Sequence, residues 1–239
     1  MAIRQRVDFQ SAYLLHSYPW RETSLIVEVF SREYGRLSLV AKGARRPLSV
    51  LRGVLMAFQP LSLSWMGRGE VKNLVQAEWQ GGQPLLQGVA LLCAYYLNEL
   101  LLRMLAREDA HANLFDAYAH TLACLAVGQA YAPLMRAFEL TLLQELGYAP
   151  GFDCEADSGE AIDPLERYVF LTERGAVVAG DHGDAPTIPG QVLLAMAAAD
   201  FSDAQTLMYA KPLMRRLIQH HLDGPPLESR RILMELQEL

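Results

Sequence analysis

Two runs near the amino terminus constrain the fold most. Ser24–Ser31 reads SLIVEVFS and Arg36–Lys42 reads RLSLVAK; both alternate, and the first is rich in β-branched residues. Alternation with period two marks a strand with one face in a core. The Arg32-Glu33-Tyr34-Gly35 segment between them offers the turn of a hairpin. Further strands are expected at Ser11–Tyr18 (SAYLLHSY), Met56–Met66 (MAFQPLSLSWM) and Val71–Trp79. Pro60 suits a bulge or an edge, and Gly67-Arg68-Gly69-Glu70 suits a turn. Five short antiparallel strands within residues 1–81 predict a small closed barrel, because closure removes exposed edges. A five-stranded OB-fold is the economical choice.

The period changes after Gly81-Gly82. Pro84–Arg107 is apolar on nearly every side and reads as a buried helix, followed by helices over His111–Gly128 and Pro133–Leu146. Pro133 fits a first helical turn and Gly147 a C-terminal stop. Tyr148–Pro164 is a loop rich in Asp, Glu and Gly. A small hairpin is expected near 168–179, then helices over Pro189–Ala199, Asp203–Leu222 and Leu227–Leu239. The fold class is therefore α+β: an OB-fold β-barrel domain over 1–81, then a mostly α-helical domain over 82–239. The longest apolar run, Val89–Leu105, is interrupted by Glu99 and Arg103. It is shorter than the ~20 apolar residues of a membrane span. No stretch has the order of a signal peptide, so a soluble, intracellular protein is expected.

Charge is divided unevenly. The chain carries a formal net charge of −6, yet residues 1–80 hold eleven Lys/Arg against six acids, a net of +5. The remainder nets −11. Between Glu33 and Glu70 there are six cations and no acid, and four of them lie in LVAKGARRPLSVLRG. Such asymmetry suits a polyanion partner for the basic part.

Enzymatic motifs are missing: no phosphate-binding G-x-x-x-x-G-K-[ST], no G-x-G-x-x-G after a strand, no H-E-x-x-H and no G-x-S-x-G. The three cysteines are scattered; Cys93 and Cys124 sit among apolar neighbours as small core residues. His220-His221 ends a helix that already carries Arg215 and Arg216, where cations favour the helix dipole. The acids Asp153, Glu155, Asp157, Glu160 and Asp163 lack the spacing of an EF-hand and read as a solvated loop.

The basic stretch remains. It joins the third strand to the fourth, with Gly43, Pro47 and Gly53 as punctuation. Loop cations can follow a phosphate chain of any sequence, and guanidinium planes stack on unpaired bases. The candidate nucleic-acid contacts are Lys42, Arg45, Arg46 and Arg52 of the loop, with Arg36 before it. Arg68 and Lys72 flank the fourth turn, one of the loops that frame an OB-fold ligand face. Trp65, Phe58 and Tyr34 are candidate stacking platforms whose bland alternative is barrel core; Trp65 is the one retained.

The segment WRETSLIVEVFSREYGRLSLVAKGARRPLSVLRGVLMAFQPLSLSW resembles the amino-terminal domain of the RecO family of bacterial recombination mediators. The likeness continues through GRGEVKNLVQAE, YYLNELLLRML and RAFELTLLQELGY; the last 90 residues match mainly in layout. The resemblance implies a non-enzymatic, cytoplasmic and nucleoid-associated DNA repair protein without cofactor. It implies binding of single- and double-stranded DNA and annealing of complementary strands. Implied partners are RecR, the acidic C-terminal tail of single-stranded DNA-binding protein, and RecA indirectly. Arg136, in RAFELTLLQELGY, matches a basic position linked to that tail. Some family members hold zinc with two Cys-x-x-Cys pairs. Here Cys154 stands in CEAD with Asp157 at the second position, and Asp181, His182 and Asp184 stand where the other pair would fall. One thiolate with scattered carboxylates is a poor zinc site, so no metal is expected. The rival readings are an OB-fold RNA-binding module, a protein-interaction module without annealing activity, and a small-molecule enzyme with its pocket among the helices.

Overall fold

The computed structural model describes residues 6–149, 151–180, 185–222 and 224–237. The chain packs as two compact units. One runs to Gln129 and resumes at Pro225; the other is Ala130–Gly224.

The first unit is built on a closed barrel of β1 (Arg6–Trp20), β2 (Ser24–Ser31), β3 (Gly35–Ala41), β4 (Pro60–Met66) and β5 (Val71–Trp79). The strand order is β1-β2-β3-β5-β4, which is the OB-fold arrangement expected from the alternating runs. The hairpin is in the register that its pattern demands: Val27 faces Leu39 and Val29 faces Leu37, all inside.

Three details differ from the sequence expectation. The β3–β5 seam is parallel, Ser38 beside Val71 and Val40 beside Asn73. The reason is topological: β4 crosses to pair with β1, so β5, returning from β4, runs in the direction of β3. Next, β1 is longer than Ser11–Tyr18, because two bulges bend it into both neighbours. Finally, β4 begins at Pro60 rather than Met56; a proline is tolerated as the first residue of a strand. The loop after β3 also holds one helical turn, α1 (Leu51–Val54), whose Leu51 and Val54 pack against the barrel core.

Helices α2 (Gly88–Met104) and α3 (Ala112–Ala126) pack in the same unit as the barrel. They cover the outer side of β1 and β2, which explains why β2 is buried on both faces over 26–31. Tyr13 and Phe30 meet Phe115 at 5.5 and 5.4 Å between ring centroids, and Tyr13 meets Tyr118 edge-on at 5.1 Å. Asn98 of α2 donates to the Leu15 carbonyl and accepts from the Tyr118 hydroxyl. Burial pushes that hydroxyl's pKa well up, so it stays a donor. The chain returns to this unit as α7 (Glu228–Gln237). The Glu99 carboxylate of α2 accepts the backbone N–H groups of Glu228 and Ser229 at 2.8 and 2.9 Å, and so caps α7 from outside.

The second unit contains α4 (Tyr131–Glu145), a three-stranded sheet in order β7-β6-β8, α5 (Gly190–Ala197) and α6 (Ala204–His221). β6 (Arg167–Leu171) and β7 (Gly175–Val178) form the expected hairpin. β8 (Thr187–Pro189) is additional; three residues are too few to show a period. Asp203 caps α6, its carboxylate accepting the Thr206 N–H at 2.9 Å. Gly147, at φ +71°, follows α4 as its stop. No helix of the described residues is long and apolar enough to cross a membrane.

Candidate nucleic-acid interface

The basic residues of the barrel fall into two groups, at opposite ends of β3. Ala41 pairs with Leu25 beside the β1–β2 turn, and Gly35 pairs with Ser31 at the other end. Because β5 is parallel to β3, the β4–β5 turn with Arg68 lies at the Gly35 end. Lys42, Arg45 and Arg46 leave from the Ala41 end. The structure therefore does not bring Arg68 to the cations of the loop.

At the Ala41 end the loop is tied to the β1–β2 turn by hydrogen bonds. The Arg45 N–H donates to the Thr23 carbonyl at 2.9 Å, and its guanidinium reaches the carbonyls of Arg21 and Glu22. Ala44 is buried in the barrel core. Gly43 has φ +70°, and a Cβ there would lie 3.5 Å from the Arg46 side chain, which folds over it. Lys42, Arg45, Arg46 and Arg52 are all exposed, and no ion pair with a described residue holds any of them. Between loop and turn lies a groove of about 530 Å³, lined by Trp20, Val40 and the cations Arg21, Lys42 and Arg46, with one acid, Glu22, among the rest. Trp20 is 43% exposed. A half-open indole beside cations has what a single strand asks for: a stacking face and phosphate partners. Trp20 and Arg21 were missed by sequence reasoning. The available signal was an aromatic–arginine pair where β1 passes into its turn, at a strand end that needs no tryptophan for the core.

Three further expected contacts are withdrawn from solvent. Arg36 is largely buried, facing Glu28 at 4.0 Å across the β2–β3 pair. Burial and the neighbouring Arg107 lower its pKa, against the pull of Glu28. Glu28 is itself buried and is bound by Ser38 at 2.5 Å and Arg107 at 3.1 Å. Lys72 is buried too, with its ammonium 2.5 Å from Glu108. Both acids come from outside the acid-free run: Glu28 precedes it, and Glu108 arrives after α2. The connection from α2 to α3 is laced onto β3, with the Glu108 N–H donating to the Arg36 carbonyl. Trp65 is the third. It is 1% exposed in the barrel core, edge-on to Tyr34 at 5.3 Å, so no base can reach its face. Phe58 is likewise buried, against Tyr95.

In the second unit Arg136 is not an open surface cation. Its guanidinium lies 2.6 Å from Glu139, which is buried. The acidic loop is tied down by backbone hydrogen bonds from Glu155 to Glu160 and from Ile162 to Asp153, with Phe152 stacked on Phe170. Cys154 is exposed, and among the described residues no three metal-ligating side chains gather. Asp181, His182 and Asp184 lie outside the described residues. His221 stacks on Tyr148 at 4.2 Å; burial, then His220, lowers its pKa.

Comparison with known proteins gives this arrangement a family. Residues 9–82 match the family model described as Recombination protein O N terminal, and residues 85–231 match Recombination protein O C terminal. A curated protein named DNA repair protein RecO from Aromatoleum aromaticum is 61% identical over 240 residues, covering 100% of both chains. Proteins of the same name from Azoarcus sp. and Dechloromonas aromatica are 58% and 54% identical, again over 100% of both chains. With both halves matched and relatives aligned from end to end, the chain belongs to the RecO family.

Proposed function

We propose that this protein acts in DNA repair and recombination by binding single-stranded DNA at the groove between the β1–β2 turn and the β3–β4 loop, and by annealing complementary strands there. The observation that carries the reading is the row of exposed cations, Lys42, Arg45 and Arg46, without ion pairs among the described residues, beside the half-open Trp20. Phosphates meet the cations and a base meets the indole. Neutralising backbone charge lets a second strand approach, and base pairing then drives annealing without a nucleotide cofactor. The names of the curated relatives support a repair role.

The partner side of the proposal rests on the family resemblance. In this reading RecR and the acidic tail of single-stranded DNA-binding protein dock on the protein, the tail at α4 near Arg136, and RecA is loaded onto the released strand. A terminal carboxylate would compete with Glu139 for the Arg136 guanidinium, a charge-assisted exchange between like partners.

The test is a titration of a fluorescent single-stranded oligonucleotide across salt concentrations. About four phosphate contacts give a log–log slope of about −3, or roughly 50-fold weaker binding between about 50 and 200 mM salt. Trp20→Ala is expected to weaken binding about tenfold without altering that slope, since stacking carries no counterions. Undetectable binding at low salt sinks the proposal. Tighter binding of RNA of the same sequence moves the substrate from DNA to RNA.

A further inference from the structure

Leu48 is 97% exposed and Val50 is 80% exposed, although both lie in a segment of hydrogen-bonded turns. The segment is pinned at both ends: Ala44 sits in the barrel core, and Leu51, Val54 and Leu55 pack against that core. Between the pins runs a chain of turn hydrogen bonds, Arg46 N–H to the Gly43 carbonyl, Ser49 to Arg46, Arg52 to Ser49 and Gly53 to Val50. Pro47 fixes the backbone just before Leu48. A slack loop would fold two aliphatic side chains back onto the barrel; this arch holds them out.

Their surroundings identify what they meet. Arg45, Arg46 and Arg52 flank them, all exposed and none ion-paired with a described residue. An apolar tip with arginines on both sides along the chain complements a polyanion whose interior is apolar, and stacked bases between phosphates are such an interior. Proteins that unstack nucleic acids use Leu, Ile, Phe, Met or Pro as wedges between base steps. We propose that Leu48, with Val50 beside it, is a wedge that enters between adjacent bases of a bound single DNA strand. It keeps the bases unstacked and therefore open to pairing. This deepens the single-strand reading above and rests on it. The flanking arginines supply the grip, and the groove at Trp20, which Arg46 also lines, takes a neighbouring base.

The experiment uses the full chain and a single-stranded oligonucleotide with 2-aminopurine inside an adenine run, where stacking quenches its emission. Anisotropy reports binding separately. The native protein is expected to raise the emission on binding. The Leu48→Ala/Val50→Ala variant is expected to bind within about threefold of the native affinity yet lose more than about half of that rise, and to anneal complementary strands about fivefold more slowly. Leu48→Phe, a larger wedge, keeps the rise. Unchanged emission and annealing in the double-alanine variant overturn the wedge and leave those side chains to a protein partner. Binding by the native protein with no rise overturns it as well. Failure of the native protein to bind at all overturns the single-strand reading, and the wedge with it.

Discussion

The two ends of β3 carry cations of the same sequence origin and opposite fates. Arg36 at the Gly35 end, and Lys72 beside Leu39 on the neighbouring β5, are drawn inside and paired with Glu28 and Glu108. At the Ala41 end, Lys42, Arg45 and Arg46 remain exposed, with no ion pair among the described residues. The first group is architecture: it fastens the segment after α2 to the barrel. The second is available to a ligand. A stretch free of acids along the sequence is therefore not free of acids in space, and burial against a carboxylate, more than position along β3, separates the two kinds of cation.

That division can be broken deliberately. The largest effect is expected at the architectural end, from Gly35→Ala. Gly35 has φ +65°, and a Cβ there would lie 1.9 Å from the Asp109 carbonyl oxygen. Strain and clash together are expected to cost about 4 kcal/mol or more, read as a loss of denaturation midpoint. Next is the simultaneous replacement of Lys42, Arg45, Arg46 and Arg52 by Ala. It should weaken single-strand binding about 100-fold at moderate salt and flatten the salt slope, with thermal stability nearly unchanged. Lys72→Ala should do the reverse. It leaves Glu108, which is half-exposed, without its partner and is expected to cost about 1 kcal/mol, with DNA affinity within about twofold. If Lys72→Ala weakens DNA binding as strongly as the loop variant, the division is wrong.

The smallest effect concerns acid. Arg32 at the end of β2 grips Asp116 of α3 with two hydrogen bonds of 2.9 and 2.8 Å. That hydrogen bonding holds the Asp116 carboxyl below its ordinary pKa. A depressed carboxyl stabilises the fold fully above the unfolded value, about 3.9, and its contribution is lost as pH falls through the folded value. Melting curves of Asp116→Asn and the native chain should therefore differ slightly near neutral pH and converge in acid. The pair is exposed, so the gap is small.

Much of the fold was legible. The hairpin SLIVEVFS–RLSLVAK lies in the register its alternation demands, and the helices follow their apolar period, because both patterns are local. The parallel β3–β5 seam and β8 were not legible, since both depend on where distant strands lie. The site divides in the same way. The open loop cations are set by local composition, whereas the burial of Arg36, Lys72 and Trp65 is set by residues far along the chain. Trp20 was legible in principle, as an indole at the end of a strand beside a turn.

The capping of α7 by Glu99 has a consequence for synthesis. Everything from Ala130 to Gly224 is made between that carboxylate and the two amides it accepts. On the ribosome, the barrel and α2 emerge early, but Glu99 finds its partners only when Glu228 and Ser229 leave the exit tunnel. The second unit is a parenthesis within the first, and the first unit is completed by the final stretch of chain.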